Sequence, residues 1–126
     1  MSILVDSSIW IDYFRGTGRA DSLEILIEEN LIVVNDLILA ELLPSLLVRK
    51  NDTVAGLLRQ ITRQAMNIQW DEIITFQTIC LNNGINGVGI PDLIIAQNTL
   101  QGQLKLMTND KHFLQLSEHI GLELYE

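Results

Sequence analysis

Four acidic residues stand where a carboxylate is costly. Glu41 lies in the run Leu37–Val48, which is apolar on nearly every side and carries no other charge. An ionised carboxylate in a buried helix costs several kcal/mol unless a partner meets it. The nearest bases along the chain, Arg49 and Lys50, lie beyond helical reach. That leaves a partner from elsewhere, a raised pKa, or a metal. Asp6 ends the apolar run Ile3-Leu4-Val5, Asp110 follows the run Leu104–Met107 by a short turn, and Asp92 follows Pro91 where a helix should open. Hard oxygen donors with no His or Cys at ligand spacing select Mg²⁺ or Mn²⁺ over Zn²⁺. Each residue also has a plainer use. Asp6, Asp92 and Asp110 could cap helices or sit in first turns, and Glu41 could reach solvent or an arginine. Four such coincidences at one sheet edge favour a shared cause.

The elements that would bring these acids together follow from periodicity. Buried-type strands are expected at Ile3–Val5, Leu31–Val34, Asn67–Trp70 and Leu104–Met107, with a last one at Leu122–Tyr125. Helices are expected between them. The first starts near Ser7, capped by Ser7 or Ser8, and closes at Gly16. A second runs from about Ala20 to Asn30, with Leu23, Leu26 and Ile27 inward. Asn35 or Asp36 caps a third, kinked at Pro44. A fourth runs from Thr53 to about Gln64, with Val54, Leu57, Leu58 and Ile61 inward. A fifth opens at Asp71-Glu72, a sixth at Pro91, and a short one follows Asp110. Strand and helix alternate, so the fold class is α/β. It is read as a single domain over residues 1–126, with a mainly parallel sheet of four to five strands flanked by about seven helices. In such sheets ligands gather at the carboxyl ends of the strands, where Asp6 and Asp110 would lie.

Composition narrows the classes. The 126 residues hold 16 acids against 8 bases, a net charge of −8. That balance argues against nonspecific binding of nucleic acid and fits carboxylates gathered around a cation. The one cysteine, Cys80, excludes an internal disulfide and suits a reducing cytosol. No signal-like segment precedes Asp6, and no apolar run approaches the roughly 20 residues that span a bilayer. The expectation is a cytoplasmic protein without a membrane partner. His112 and His119 have no ligand spacing with each other or with Cys80 and are set aside. Arg59 and Arg63 read as a solvated helix face. Apolar excess on the helices at Leu23–Ile27 and Leu37–Val48 suggests a partner surface.

The ordered pieces resemble a known family. A strand ends in Asp6-Ser7-Ser8, and its helix ends Tyr13-Phe14-Arg15. Then come Glu41 in an apolar helix, Pro91-Asp92-Leu93-Ile94-Ile95-Ala96, and Met107-Thr108-Asn109-Asp110-Lys111-His112-Phe113. Over essentially its whole length the chain resembles a PIN domain, and more narrowly the toxin of a VapBC-type toxin–antitoxin pair. The resemblance implies a metal-dependent endoribonuclease, with Asp6, Glu41, Asp92 and Asp110 as its acidic, metal-holding positions. It implies that Thr108 supports the site closely, with Ser7 in a similar part. It implies a tRNA or ribosomal RNA substrate, a small VapB-type antitoxin whose tail covers the groove, and a homodimer. Arg15, Arg49, Lys50 and Lys111 are the bases placed to hold RNA phosphates around the rim. Two readings from other classes compete. A phospho-acceptor receiver domain also binds Mg²⁺ at strand ends, but wants an acidic pair after its first strand, where this chain has Ser7 and Ser8. A non-catalytic binding protein on the same fold would act through its partner alone.

Overall fold

Ile3, Leu4 and Val5 are at most 2% exposed and form β1 (Ile3–Val5), the middle strand of the sheet. The computed structural model describes residues 2–126. β2 (Ile32–Val33) and β3 (Lys105–Met107) flank β1, both parallel to it. The register sets Leu4 beside Val33 and Leu106, and Val5 beside Met107. Parallel neighbours need long crossovers, which the helices supply. α1 (Ser7–Phe14) and α2 (Ala20–Glu28) link β1 to β2. α3 (Asp36–Val48), α4 (Asp52–Arg59), α5 (Trp70–Asn82) and α6 (Ile90–Gln101) lead to β3, and α7 (Lys111–Ile120) follows it. Among the described residues the expected seven helices are present.

The sheet is smaller than expected. Among the described residues it has three strands, not four to five. Asn67–Trp70 is not a strand: Trp70 opens α5, and the residues before it bond to side chains rather than to a strand. Gln97 accepts from the Gln69 N–H at 3.0 Å and donates to the Gln69 carbonyl at 3.1 Å. Asn98 and Gln101 donate to the carbonyls of Ala65 and Asn67. Amides of α6 thus take the bonds a neighbouring strand would have made. Leu122–Tyr125 contributes one bridge, Leu124 to Leu106, and no full strand. α4 stops at Arg59, short of Gln64, because Val34 draws the chain away. Val34 N–H donates to Thr62, and Gln64 N–H donates to Val34.

Side-chain placement departs from expectation on three helices. Ile27 of α2 is 37% exposed and Leu57 of α4 is 60% exposed, so neither is core. α3 buries Ile38, Leu39, Leu42, Leu43 and Leu46 but exposes Ala40, Glu41, Pro44, Leu47 and Val48, which recur at helical spacing along one side. Glu41 therefore does not stand in buried surroundings on both sides. The helix continues through Pro44, whose missing N–H frees a carbonyl on the exposed side, where water can meet it. Asn35 caps α3, accepting from the Ile38 N–H at 2.8 Å.

Candidate active site

Asp6 sits where β1 hands over to α1. Its backbone is extended, and it occupies the N-cap position without making a side-chain cap. Neither serine caps the helix, because both lie inside it. Asp6 is only 6% exposed, and its Oδ2 accepts two hydroxyls, Ser8 Oγ at 2.9 Å and Thr108 Oγ1 at 2.8 Å. Thr108 arrives from the far end of the chain because β3 pairs with β1 in parallel, so both strands end at one edge. The Asp6 N–H donates to Met107 across that edge.

Thr108 also accepts the Asp110 N–H, at 3.0 Å. Asp110 caps α7: its Oδ1 accepts the His112 N–H at 2.9 Å and meets His112 Nδ1 at 2.8 Å. Asp92 lies in the first turn of α6, where its Oδ2 accepts the Gly89 N–H at 3.3 Å. The capping readings of Asp92 and Asp110 are therefore correct, and leave each residue an oxygen over. Among the described residues, Oδ1 of Asp6, Oδ1 of Asp92 and Oδ2 of Asp110 accept no hydrogen bond.

Two of the carboxylates, Glu41 and Asp92, respond to the charges of the others. Burial raises the pKa of Glu41, and the charges of Asp6 and Asp92 raise it further, against a hydrogen bond from Ser7. The residue is exposed as a whole, but protein surrounds enough of its carboxyl for the neighbouring charges to act. Burial also raises Asp92. The charges of Asp110 and Asp6 add to this, while the Gly89 N–H and His112 oppose it. Among the described residues no Lys or Arg forms an ion pair with any of the four; the pairs present are Arg63–Asp36 and His112–Asp110. Nor do three acidic, His or Cys side chains close into a metal nest there. An oxygen-only donor set with unused lone pairs fits a hard divalent cation.

The rim bases divide between two hollows. Arg15 and Arg49 line one of about 440 Å³ together with Glu41, between α1, α3 and α4. Lys111 lines one of about 280 Å³ with Thr108 and Asp110. Lys50 stands just past α3 with φ +58, outside both. Sequence reasoning missed four residues here. Ser8 rather than Ser7 bonds Asp6, while Ser7 acts to lower the Glu41 pKa. His112, set aside for want of metal spacing, holds Asp110. Arg19 lines the second hollow and donates to the carbonyls of Thr108 and Tyr125, both at 3.4 Å. Asn109 ties the Thr108–Asp110 turn to α1. For Ser8 and His112 the usable signal was proximity, each lying two residues past an acid.

No curated protein matches the chain in sequence. Solved structures match its fold over nearly all its length. One is VapBC2 from Rickettsia felis bound to a DNA fragment from their promoter, with a TM-score of 0.77 at 19% identity, covering 99% of this chain and 98% of that one. VapBC-1 from nontypeable Haemophilus influenzae gives 0.75 at 17%, covering 100% and 98%. FitAcB from Neisseria gonorrhoeae gives 0.72 at 16%, covering 98% and 96%. The sequence pattern of the PIN domain matches residues 3–118, and the chain belongs to the PIN-domain family.

Proposed function

We propose that this chain is the toxin of a VapBC-type pair and a Mg²⁺- or Mn²⁺-dependent endoribonuclease. The observation that carries this is the set Asp6, Glu41, Asp92 and Asp110. These are acids far apart in sequence; the charges of Asp6 and Asp92 act on Glu41 and those of Asp110 and Asp6 on Asp92, and among the described residues none is paired with Lys or Arg. Asp6, Glu41 and Asp92 would hold the cation, with Asp110 completing the set. A cation held there supplies a nucleophile from water at neutral pH and offsets charge developing on phosphoryl oxygens.

The chain's own residues do the rest. Ser8 and Thr108 fix Asp6 through one oxygen and leave the other turned to its task. His112 does the same for Asp110, and the Gly89 N–H for Asp92. Arg15 and Arg49 on one side of the acids, and Lys111 on the other, meet phosphates of a single strand laid across the site. Lys50 adds charge beyond the first hollow. Water, not the ribose 2′-hydroxyl, attacks, so the products carry 5′-phosphate and 3′-hydroxyl ends. The substrate class is tRNA or ribosomal RNA. The partner is a VapB-type antitoxin whose tail covers the groove. A homodimer joined through exposed apolar helix faces and a cytoplasmic location complete the reading. Among the described residues no helix is long and apolar enough to cross a membrane.

The test is incubation of total RNA with purified, partner-free protein in Mg²⁺ or Mn²⁺ and in EDTA, beside Asp6→Ala and Asp92→Ala. Discrete fragments with 5′-phosphate ends, lost in EDTA and in both variants, are expected. Cutting that survives EDTA and both substitutions refutes the site.

A further inference from the structure

The turn that carries Thr108 and Asp110 is held from outside by α1. Asn109 Nδ2 donates to Asp12 Oδ2 at 2.5 Å, across a sequence separation of 97 residues. The Asn109 N–H donates to Ser8 Oγ at 3.1 Å, and Ser8 in turn donates to Asp6. Asn109 is thus gripped by backbone and side chain at once, and both grips lead to α1. Asp12 is itself seated. Its carbonyl accepts the Thr17 N–H at 2.9 Å, and a Cβ at Gly18 would lie 3.0 Å from its Oδ2. Gly18 has φ +70, so the α1–α2 turn closes on the Asp12 carboxylate as only glycine allows. Asp12 touches none of the four acids, and the functional reading above makes no use of it.

We infer that the Asp12–Asn109 hydrogen bond is a clasp that sets Asp110 and Thr108 against Asp6, making Asp12 and Asn109 positioning residues for the metal-dependent reaction. This rests on the four acids being a metal site. The clasp is directional: an amide donates to a carboxylate. Exchanging the two residues reverses the polarity and keeps the bond, whereas removing or duplicating one partner destroys it. Partners of this kind that orient metal ligands are typically worth about 10–100-fold in metal affinity or activity.

The experiment uses the full chain and Mn²⁺ titration by calorimetry, with RNA cleavage and melting temperature measured in parallel. The variants are Asn109→Ala, Asn109→Asp, and the exchange Asp12→Asn with Asn109→Asp. Asn109→Ala and Asn109→Asp are expected to bind Mn²⁺ about 10-fold more weakly and to lower kcat while KM for RNA holds. The exchange is expected to recover both, which also separates the clasp from mere charge added at residue 109. Asn109→Ala and Asn109→Asp binding Mn²⁺ as the parent does would overturn the inference. So would an exchange variant that melts like the parent yet binds no better than Asn109→Asp. A parent that binds no Mn²⁺ at all takes down the metal-site reading, and the clasp's role with it. That result is distinct from a parent that binds while the variants make no difference.

Discussion

Thr108→Val removes one oxygen and nearly nothing else. The methyl that replaces the hydroxyl has the same shape, but Asp6 Oδ2 loses one of its two donors and the Asp110 N–H loses its acceptor. A hydrogen bond to a charged group contributes about 1.5–3 kcal/mol, and a stranded N–H adds to the loss. The expected cost is about 2–3 kcal/mol, a large share of the roughly 5–15 kcal/mol that holds a domain together. For a chain of this size that lowers the melting temperature by about 8–12 °C. The assay is thermal unfolding in EDTA, so that no cation masks the effect, with Thr108→Ser beside it. Serine keeps the oxygen and loses only the methyl, so it should stay within about 1 kcal/mol of the parent. Cleavage in Mn²⁺ should fall about 10-fold or more in the valine variant and recover in the serine variant. Thr108→Val melting with the parent would refute the reasoning. So would Thr108→Ser failing as badly as valine, since shape and not the hydroxyl would then matter.

Other perturbations have equally definite outcomes. The Asp92 pKa is raised in the folded state, so its contribution to stability is present below the ordinary carboxylate range and lost as pH rises through the raised value. Asp92→Asn should therefore raise the melting temperature in EDTA at neutral pH and flatten its fall as pH rises above the ordinary carboxylate range; added Mg²⁺ should erase the advantage by stabilising only the parent. Lys50 holds φ +58 after α3, so Lys50→Gly should gain about 1 kcal/mol in urea unfolding. The same change should lower the salt dependence of binding to single-stranded RNA by about 0.7 in slope. Gln97 is 1% exposed and bonds both Gln69 and Glu72, so Gln97→Leu should cost about 3 kcal/mol and open the residues before α5 to hydrogen exchange.

The parts of this architecture that local pattern controls were readable. Ile3–Val5 before Asp6, Asn35 before α3 and Pro91 before Asp92 each follow from residues within a few positions. What escaped depends on partners remote in sequence. Asn67–Trp70 has the composition of a strand, but Gln97 and Gln101 of α6 meet its backbone first. α4 was drawn too long because Val34 ends it. Glu41 drew attention through an apolar run taken to be buried all round, yet α3 leaves that side open. The residue matters because Asp6 and Asp92 lie near it, which only the folded chain shows. Ser7 and Ser8 are interchangeable as letters; their positions in the first turn of α1 decide which one meets Asp6.

The bond between Thr108 and Asp6 spans 102 residues and runs through the pairing of β1 with β3. Contacts of such separation form late and depend on most of the chain being ordered. During synthesis Asp6 is made first, and it waits for Thr108 until β3 has been translated and docked. Until then its carboxylate has only Ser8, and Asp110 does not yet exist. A nascent or truncated chain that stops before Lys105 holds three of the four acids but not the edge that aligns them. The edge that gathers these acids is thus completed as a final event of synthesis, when β3 docks beside β1.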